Sequence, residues 1–495
     1  MNTRPKKKNA KHVVFVVPPK FKGKLPERVY GCSYTLYNTP NLGILYAAAV
    51  LEQAGNRVEI IDEENLEWTA FISKAVKKAA DYYIFHTVLL STPVDLKAAK
   101  DIRKRLPGKY IIFFGPHPTY VPNDFLFDDK CVVARGEAEF ILRDIVEGKG
   151  LKDILGASYL EKGEVVDNPT YGYIKDIDEL PFPARHLDRR SYVNPKLGGK
   201  KFTNILTSRG CAYRCYYCVP MSISWARELE WKKTSPGKPP VTKRSAKNII
   251  VEFRQLAKQG YKEFSIIDDM FVWDKDRILE ICRGIRPLKI RYGILARADH
   301  MQDEKVVKAL AGSGCQYVDL GVESFDQKVL DYVKKDLDVK KVYRAVSLLN
   351  KYRITPKINI MFGTAPIETK KSIMKTIEEA KDLPVDFCMF SIATPFPGTE
   401  FEKQAKEHHW LNKKYNNIYE NLDPAKISLI SYPHLSAKDL EDLTIKANRT
   451  FYIRPKILMK QLRRTSSISG LKQGAKTFVK LISRKKGSIK KRKGR

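Results

Sequence analysis

Long apolar runs are missing from this chain of 495 residues. No stretch reaches about eighteen uncharged apolar residues, which excludes an ordinary membrane-spanning helix. The N-terminal MNTRPKKKNAKHVVFVVPP is basic and then apolar. Its apolar part is short, ends in Pro18 and Pro19, and lacks a small-residue cleavage site, so it reads as a first strand and not a signal peptide. Cysteine is also scarce, at eight residues, and five of these (Cys32, Cys131, Cys282, Cys315, Cys388) lie scattered among apolar neighbours. That excludes a secreted disulfide framework and fits a reducing compartment, so a cytoplasmic location is expected. Acidic residues are absent from 460–495, which hold fourteen Lys and Arg within a formal net charge of +34. Such a tail can attract nucleic acid or an anionic lipid surface, and charge alone does not choose between them. What the chain does have is 43% hydrophobic and 11% aromatic residues, enough for a globular protein of two or three domains.

Short apolar runs at 13–17, 57–62, 82–85 and 110–114 alternate with helical patterns at 41–54, 69–79 and 93–106. This rhythm predicts a doubly wound parallel sheet over residues 11–150, with ligands bound at the carboxyl ends of its strands. Residues 151–200 read as a connector, with a hairpin in ASYLEKGEVVD and then DIDELPFPARH, whose prolines prevent a helix. Six further strands are expected at 203–207, 262–267, 289–295, 316–322, 356–362 and 385–392, separated by helices. They predict a partial (β/α)6 TIM-like barrel over 201–410, with its chemistry at the carboxyl ends of the strands. The fold class is therefore α/β, completed by a mainly helical C-terminal region at 411–459 and a basic tail at 460–495. Within the tail, residues 468–482 carry apolar residues at helical spacing opposite Lys472, Lys476 and Lys480, the pattern of a basic amphipathic helix.

Directly after the first barrel strand stands TSRGCAYRCYYCVP, with Cys211, Cys215 and Cys218 spaced C-x3-C-x2-C. Three thiols on one short loop bind a soft metal. A structural zinc site wants four ligands, and no fourth cysteine or nearby histidine offers itself. In a 4Fe–4S cluster three thiolates leave one iron open. The cluster is the better reading of the residues, with zinc and unligated thiols as alternatives.

That spacing, with Tyr217 before the last cysteine and a β/α barrel behind it, resembles the radical S-adenosylmethionine (SAM) enzymes. The resemblance implies that Cys211, Cys215 and Cys218 hold a 4Fe–4S cluster whose open iron is chelated by SAM. An electron from a low-potential donor of flavodoxin or ferredoxin type would then cleave SAM to a 5′-deoxyadenosyl radical. It also implies cofactor contacts at Tyr217, at Asp268 and Asp269 of FSIIDDMF, at Arg297 of LARAD and at Glu323 of LGVES. Plainer readings exist for each. Paired aspartates cap helices, Arg297 can pair with Asp299 or Asp303, and Glu323 with Ser324 can cap a helix beginning near Phe325.

The N-terminal domain resembles the cobalamin-binding domain of one large radical SAM subclass. The similarity rests on NTPNLGILYAAAVLEQAG (38–55), HTVLLST (86–92), FGPHPTYVP (114–122) and RGEAEF (135–140), and it extends over about residues 11–410. It implies cobalamin as a further cofactor, with contacts at Gly43, Gly115 and His117. Two departures stand out: the Asp-x-His-x-x-Gly motif is absent, and Phe114 replaces the first glycine of the family's GG-x-H-x-T turn.

Within this subclass, FYIRPK (451–456) and the C-terminal length look most like the oxidative cyclase and hopanoid-type group. That implies methylation, or ring or C–C bond formation, on a hydrophobic lipid, isoprenoid or tetrapyrrole substrate. The basic amphipathic helix adds a peripheral contact with the inner membrane surface. An RNA-modifying radical SAM methyltransferase is the alternative that the tail suggests, but the second cysteine trio and C-terminal β-barrel of such enzymes are not visible, so nucleic acid is not the expected partner. A non-enzymatic cobalamin or redox sensor is the third reading.

Overall fold

Five short runs rich in β-branched and aromatic residues build the first sheet. The structure, a computed structural model, describes residues 10–20, 25–31, 38–421, 423 and 425–455. Strands β1 (His12–Val17), β2 (Arg57–Asp62), β3 (Tyr82–His86), β4 (Tyr110–Phe114) and β5 (Cys131–Ala134) pair in parallel in the order 2-1-3-4-5. Helices Leu42–Gln53 and Glu139–Val146 pack on one face. Trp68–Lys77 and Thr92–Arg105 pack on the other. With helices on both sides, β1, β3, β4 and β5 are buried almost throughout, which is why they read as unbroken apolar runs. The hairpin expected in the connector does form, as β6 (Ala157–Glu161) and β7 (Glu164–Asp167), and it extends this same sheet antiparallel to β5.

The second sheet follows the sequence rhythm closely. After β8 (Phe202–Ile205) comes a ribbon of β9 (Ser208–Arg209) with β10 (Thr242–Lys243). Then follow β11 (Glu263–Ile266), β12 (Arg291–Ala296), β13 (Cys315–Glu323), β14 (Thr355–Phe362) and β15 (Phe387–Ile392). The order 15-14-13-12-11-8 is parallel throughout, a partial (β/α)6 barrel. Its exposed edge at β15 is covered by helix Ala437–Tyr452, which Ser436 and Asp439 cap. The Tyr452 hydroxyl donates to the Cys388 carbonyl at 2.7 Å and accepts from the Cys388 N–H at 3.3 Å, replacing the missing strand neighbour. The basic tail, including the helix expected at 468–482, lies outside the described residues.

Two buried polar networks orient these layers. In the connector, Arg185 donates to Glu252 at 2.7 Å, to Thr203 at 3.1 Å and to the Asn204 carbonyl at 2.8 Å. Arg244 pairs with the other oxygen of Glu252. The second network lies where the strand order of the first sheet reverses, between β1 and β3. There Arg28 makes a two-pronged ion pair with Asp95 at 2.7 and 2.8 Å, and Thr87 and Ser91 also donate to Asp95, at 2.9 and 2.7 Å. His86, at the end of β3, has its Nδ1 3.0 Å from the Asn41 amide nitrogen. Burial, with the Arg28 charge nearby, pushes His86 down from 6.5 to about 3. Burial likewise lowers His117 to about 4.

Two outcomes are expected. Glu252→Gln leaves Arg185 and Arg244 without a counter-charge and should cost about 3–5 kcal/mol in denaturant unfolding; a loss near zero would contradict the pairing. The unfolded chain protonates its histidines as pH drops through 6.5, whereas folded His86 and His117 stay neutral to about 3 and 4. The stability they contribute is therefore present above 6.5 and lost as pH falls toward 4. Melting curves across that window should show the decline, and His86→Gln should flatten it.

Candidate functional site

The cysteine loop has almost no structure of its own, and two carboxylates at the end of β11 shape it. Asp268 accepts from the Thr207 N–H and the Ser208 hydroxyl, each at 2.6 Å, and from the Thr207 hydroxyl, holding the entrance to the loop. Asp269 accepts from the Gly210 N–H at 3.2 Å and the Met221 N–H at 2.6 Å, so it ties the two ends of the loop together. Burial raises both acids, Asp269 to about 6. Sequence reasoning expected both aspartates to contact the cofactor; in the structure their oxygens are engaged by the loop that carries the cysteines.

Cys211, Cys215 and Cys218 are unbridged and half-buried. Burial raises the thiols of Cys211 and Cys218, and Lys238, itself 3.3 Å from Glu228, opposes that rise at both. Among the described residues no three Cys, His, Asp or Glu converge as a single metal ion requires. The thiolates of a cluster bind different irons and need no common point. The donor set therefore fits a 4Fe–4S cluster with one open iron.

Beside the trio, Tyr217 is buried and its hydroxyl has no partner among the described residues. Burial pushes this phenol well above its usual range, and the neighbouring Glu323, Cys215 and Cys218 push it further. Arg297 is pinned on three sides: against the Tyr213 ring at 3.4 Å, by Asp299 at 2.9 and 3.0 Å, and by the Asp336 carbonyl at 2.8 Å. Of its two sequence partners, Asp299 is the one it uses. Glu323 ends β13 at φ +69°, a left-handed conformation that a non-glycine residue holds only under constraint, and pairs with Lys335 at 3.1 Å. None of Tyr213, Lys335 and Lys238 was foreseen: Tyr213 stands inside the cysteine motif, whose signal lies in the spacing of the thiols, and the two lysines belong to no local motif.

On the facing side, the loops after β1, β3 and β4 meet the cysteine loop across a narrow apolar cleft. Tyr30, Leu89, Pro116 and His117 line one wall, and Val219, Trp225, Leu229 and Phe396 line the other. His117 lies 2.6 Å from the Thr92 hydroxyl and packs edge-on against Phe125 and Tyr419. Gly115, at φ +110°, admits no side chain, since a Cβ there would sit 2.6 Å from the Thr87 carbonyl. A Cβ on Gly43, in the first turn of helix Leu42–Gln53, would press on the His86 ring at 3.2 Å. His86 itself gave no signal within HTVLLST. Side-chain-free backbone at the carboxyl ends of parallel strands allows a broad, flat ligand to approach the main chain closely, which suits the corrin ring of cobalamin. Ile418 and Leu429 of the C-terminal region pack with Leu89 and Leu90, and Leu89 is the member of that cluster's buried core that lines the cleft. Among the described residues no helix is long and apolar enough to cross a membrane.

Residues 205–365 match the radical SAM superfamily, and residues 32–146 match the B12 binding domain. An uncharacterised methyltransferase of Pyrococcus horikoshii is 30% identical, over 86% of this chain and 90% of its own length. Bacteriochlorophyllide d C-12(1)-methyltransferase of Chlorobaculum tepidum is 23% identical over 66% of each chain, so this chain spans just under two thirds of that relative. The structure of the radical SAM methyltransferase TsrM from Kitasatospora setae, with cobalamin and a 4Fe–4S cluster bound, superposes with a TM-score of 0.65 at 17% identity, covering 90% of both chains. The expected α/β fold thus holds in both halves, and the cofactors of the two matched domains are the 4Fe–4S cluster, SAM and cobalamin. The chain is an enzyme and belongs to the radical SAM enzymes that carry an N-terminal B12-binding domain.

Proposed function

We propose that the enzyme is a methyltransferase that places a methyl group from SAM on a carbon of a hydrophobic substrate. The observation that carries this reading is the cleft, where the carboxyl ends of two parallel sheets meet and the Val219 end of the cysteine loop stands opposite Pro116 and His117. When bound, the cluster supplies the electron that cleaves SAM, and cobalamin supplies a carrier for the methyl group. On this reading Cys211, Cys215 and Cys218 hold the cluster. Tyr217, Arg297 and Glu323 line the SAM side, and Gly43, Gly115 and His117 line the cobalamin side. Asp268 and Asp269 serve the cofactors through the loop they hold. The apolar lining by Tyr30, Trp225, Leu229 and Phe396 supports a substrate of lipid, isoprenoid or tetrapyrrole type and excludes water from the reacting atoms. A flavodoxin or ferredoxin would supply the electron, and the fourteen Lys and Arg of residues 460–495 support peripheral contact with an anionic membrane. Nothing in the site favours RNA as the substrate.

The test incubates reduced, fully loaded enzyme with SAM bearing a deuterated methyl group and an extract of lipids and pigments. A product that gains the labelled methyl supports the proposal. A product that loses two hydrogens and gains no label would make the enzyme a cyclase instead. Cys218→Ser should abolish both the cluster absorption and SAM cleavage; cleavage at the wild-type rate would overturn the cluster assignment.

A further inference from the structure

The RGEAEF segment, whose resemblance implies a part of the cobalamin domain, turns away from the cleft and grips the cysteine loop from behind. Arg209 stands two residues before Cys211 and is 1% exposed. Its guanidinium donates to Glu137 at 3.0 Å and to Glu139 at 2.7 Å, while the Tyr46 ring of the first domain lies 5.4 Å away. Glu137 also accepts from the Ile174 N–H. On the far flank of the loop, helix Ser222–Trp231 presents Glu230, which accepts from Arg135 at 3.1 Å. Arg227 of that helix lies 4.0 Å from Glu137 and donates to the Arg209 carbonyl at 3.3 Å. A Cβ on Gly136 (φ +72°) would come within 3.2 Å of Glu230, so the two backbones approach closely.

Three buried arginines and three buried glutamates therefore bracket the cysteine loop on both sides. As a source of stability such a network is poor, since desolvation offsets most of the Coulomb attraction and an apolar interface would hold as well. It is effective at fixing register, because any slip strands a buried charge. The Nε of Arg209 and one oxygen of Glu139 already lack partners among the described residues, so the network has no slack.

We propose that Glu137 and Glu139 are positioning residues: through Arg209 they fix the cysteine loop against the first domain and so set the separation across which the methyl group passes. The last clause rests on the methyltransferase reading; the positioning does not.

Hydrogen exchange on the unloaded full chain tests the positioning directly. Glu139→Gln should speed exchange at residues 210–220 and leave β13 unchanged. Asp128→Asn, which breaks the Arg103 ion pair within the first domain away from this loop, should not speed it. Equal exchange at 210–220 in wild type and Glu139→Gln overturns the proposal. In loaded protein, the magnetic interaction between the reduced cluster and cob(II)alamin should weaken or broaden in Glu139→Gln, and an unchanged spectrum counts against the proposal. In turnover, SAM cleavage should persist while methylated product per SAM cleaved falls about tenfold or more, as misplacement of reacting groups does. An unchanged ratio overturns the link to methyl transfer. If wild type forms no methylated product, the proposed function fails, and exchange and spectrum still decide the positioning. Should Glu139→Gln not fold, Glu139→Asp, which keeps the charge and shortens the reach, takes the same measurements with the same two outcomes.

Discussion

Everything in the site depends on the hydrogen bonds that Asp269 makes to the two ends of one loop. Residues 210–221 contain little regular structure, and a loop with unpaired backbone donors would not hold three thiols in a fixed arrangement. A single carboxylate accepting from Gly210 and Met221 closes it, while Asp268 next to it secures the entrance. The parallel barrel makes this possible, because β11 lies next to β8 and delivers both acids to the point where the loop leaves the sheet. Desolvation opposes the charge on Asp269, and the two backbone donors offset part of that cost. The site is therefore built by committing charges to scaffolding.

The same economy recurs around it. Arg297 is held by Tyr213, Asp299 and a carbonyl, and Glu323 sits in a strained backbone conformation against Lys335. Strain of this kind persists where surrounding contacts over-determine it, and such places cluster at functional sites. Tyr217 stands among these fixed groups with its hydroxyl unpartnered among the described residues. Arg297 and Glu323 are held by the protein's own side chains and backbone, and residues fixed in this way lower the ordering cost of binding.

The sequence made the two-sheet plan legible because strands buried on both faces read as apolar runs, and parallel strands need helices between them. What escaped was short or remote. CVVA, only four residues long, is a full strand of the first sheet, and helix Ser222–Trp231 is hidden behind the cysteine motif. The cysteine trio was legible because its spacing is local. Arg209 with Glu137 and Arg135 with Glu230 were not, because their partners lie 72 and 95 residues apart. The double aspartate was legible from its place at a strand end, but the Gly210 and Met221 N–H groups that Asp269 accepts from lie 59 and 48 residues away and were not. RGEAEF shows the same limit: its charges face the neighbouring domain and not the cleft.

A division of labour follows from where polarity lies. Behind the cysteine loop the contacts are buried ion pairs, which tolerate no slip. In front of it the cleft walls are apolar and aromatic, and side chains such as Leu89, Leu229 and Phe396 can repack around ligands of different outline. Behind Leu89 lie Ile418 and Leu429, which fall outside both matched segments and pack with Leu89 and Leu90. Changing that packing would act on the cleft through Leu89, away from the contacts of Asp269 and Arg209. Chemistry common to a family and selectivity particular to one member can thus reside in the same chain, because separate interactions hold them in place.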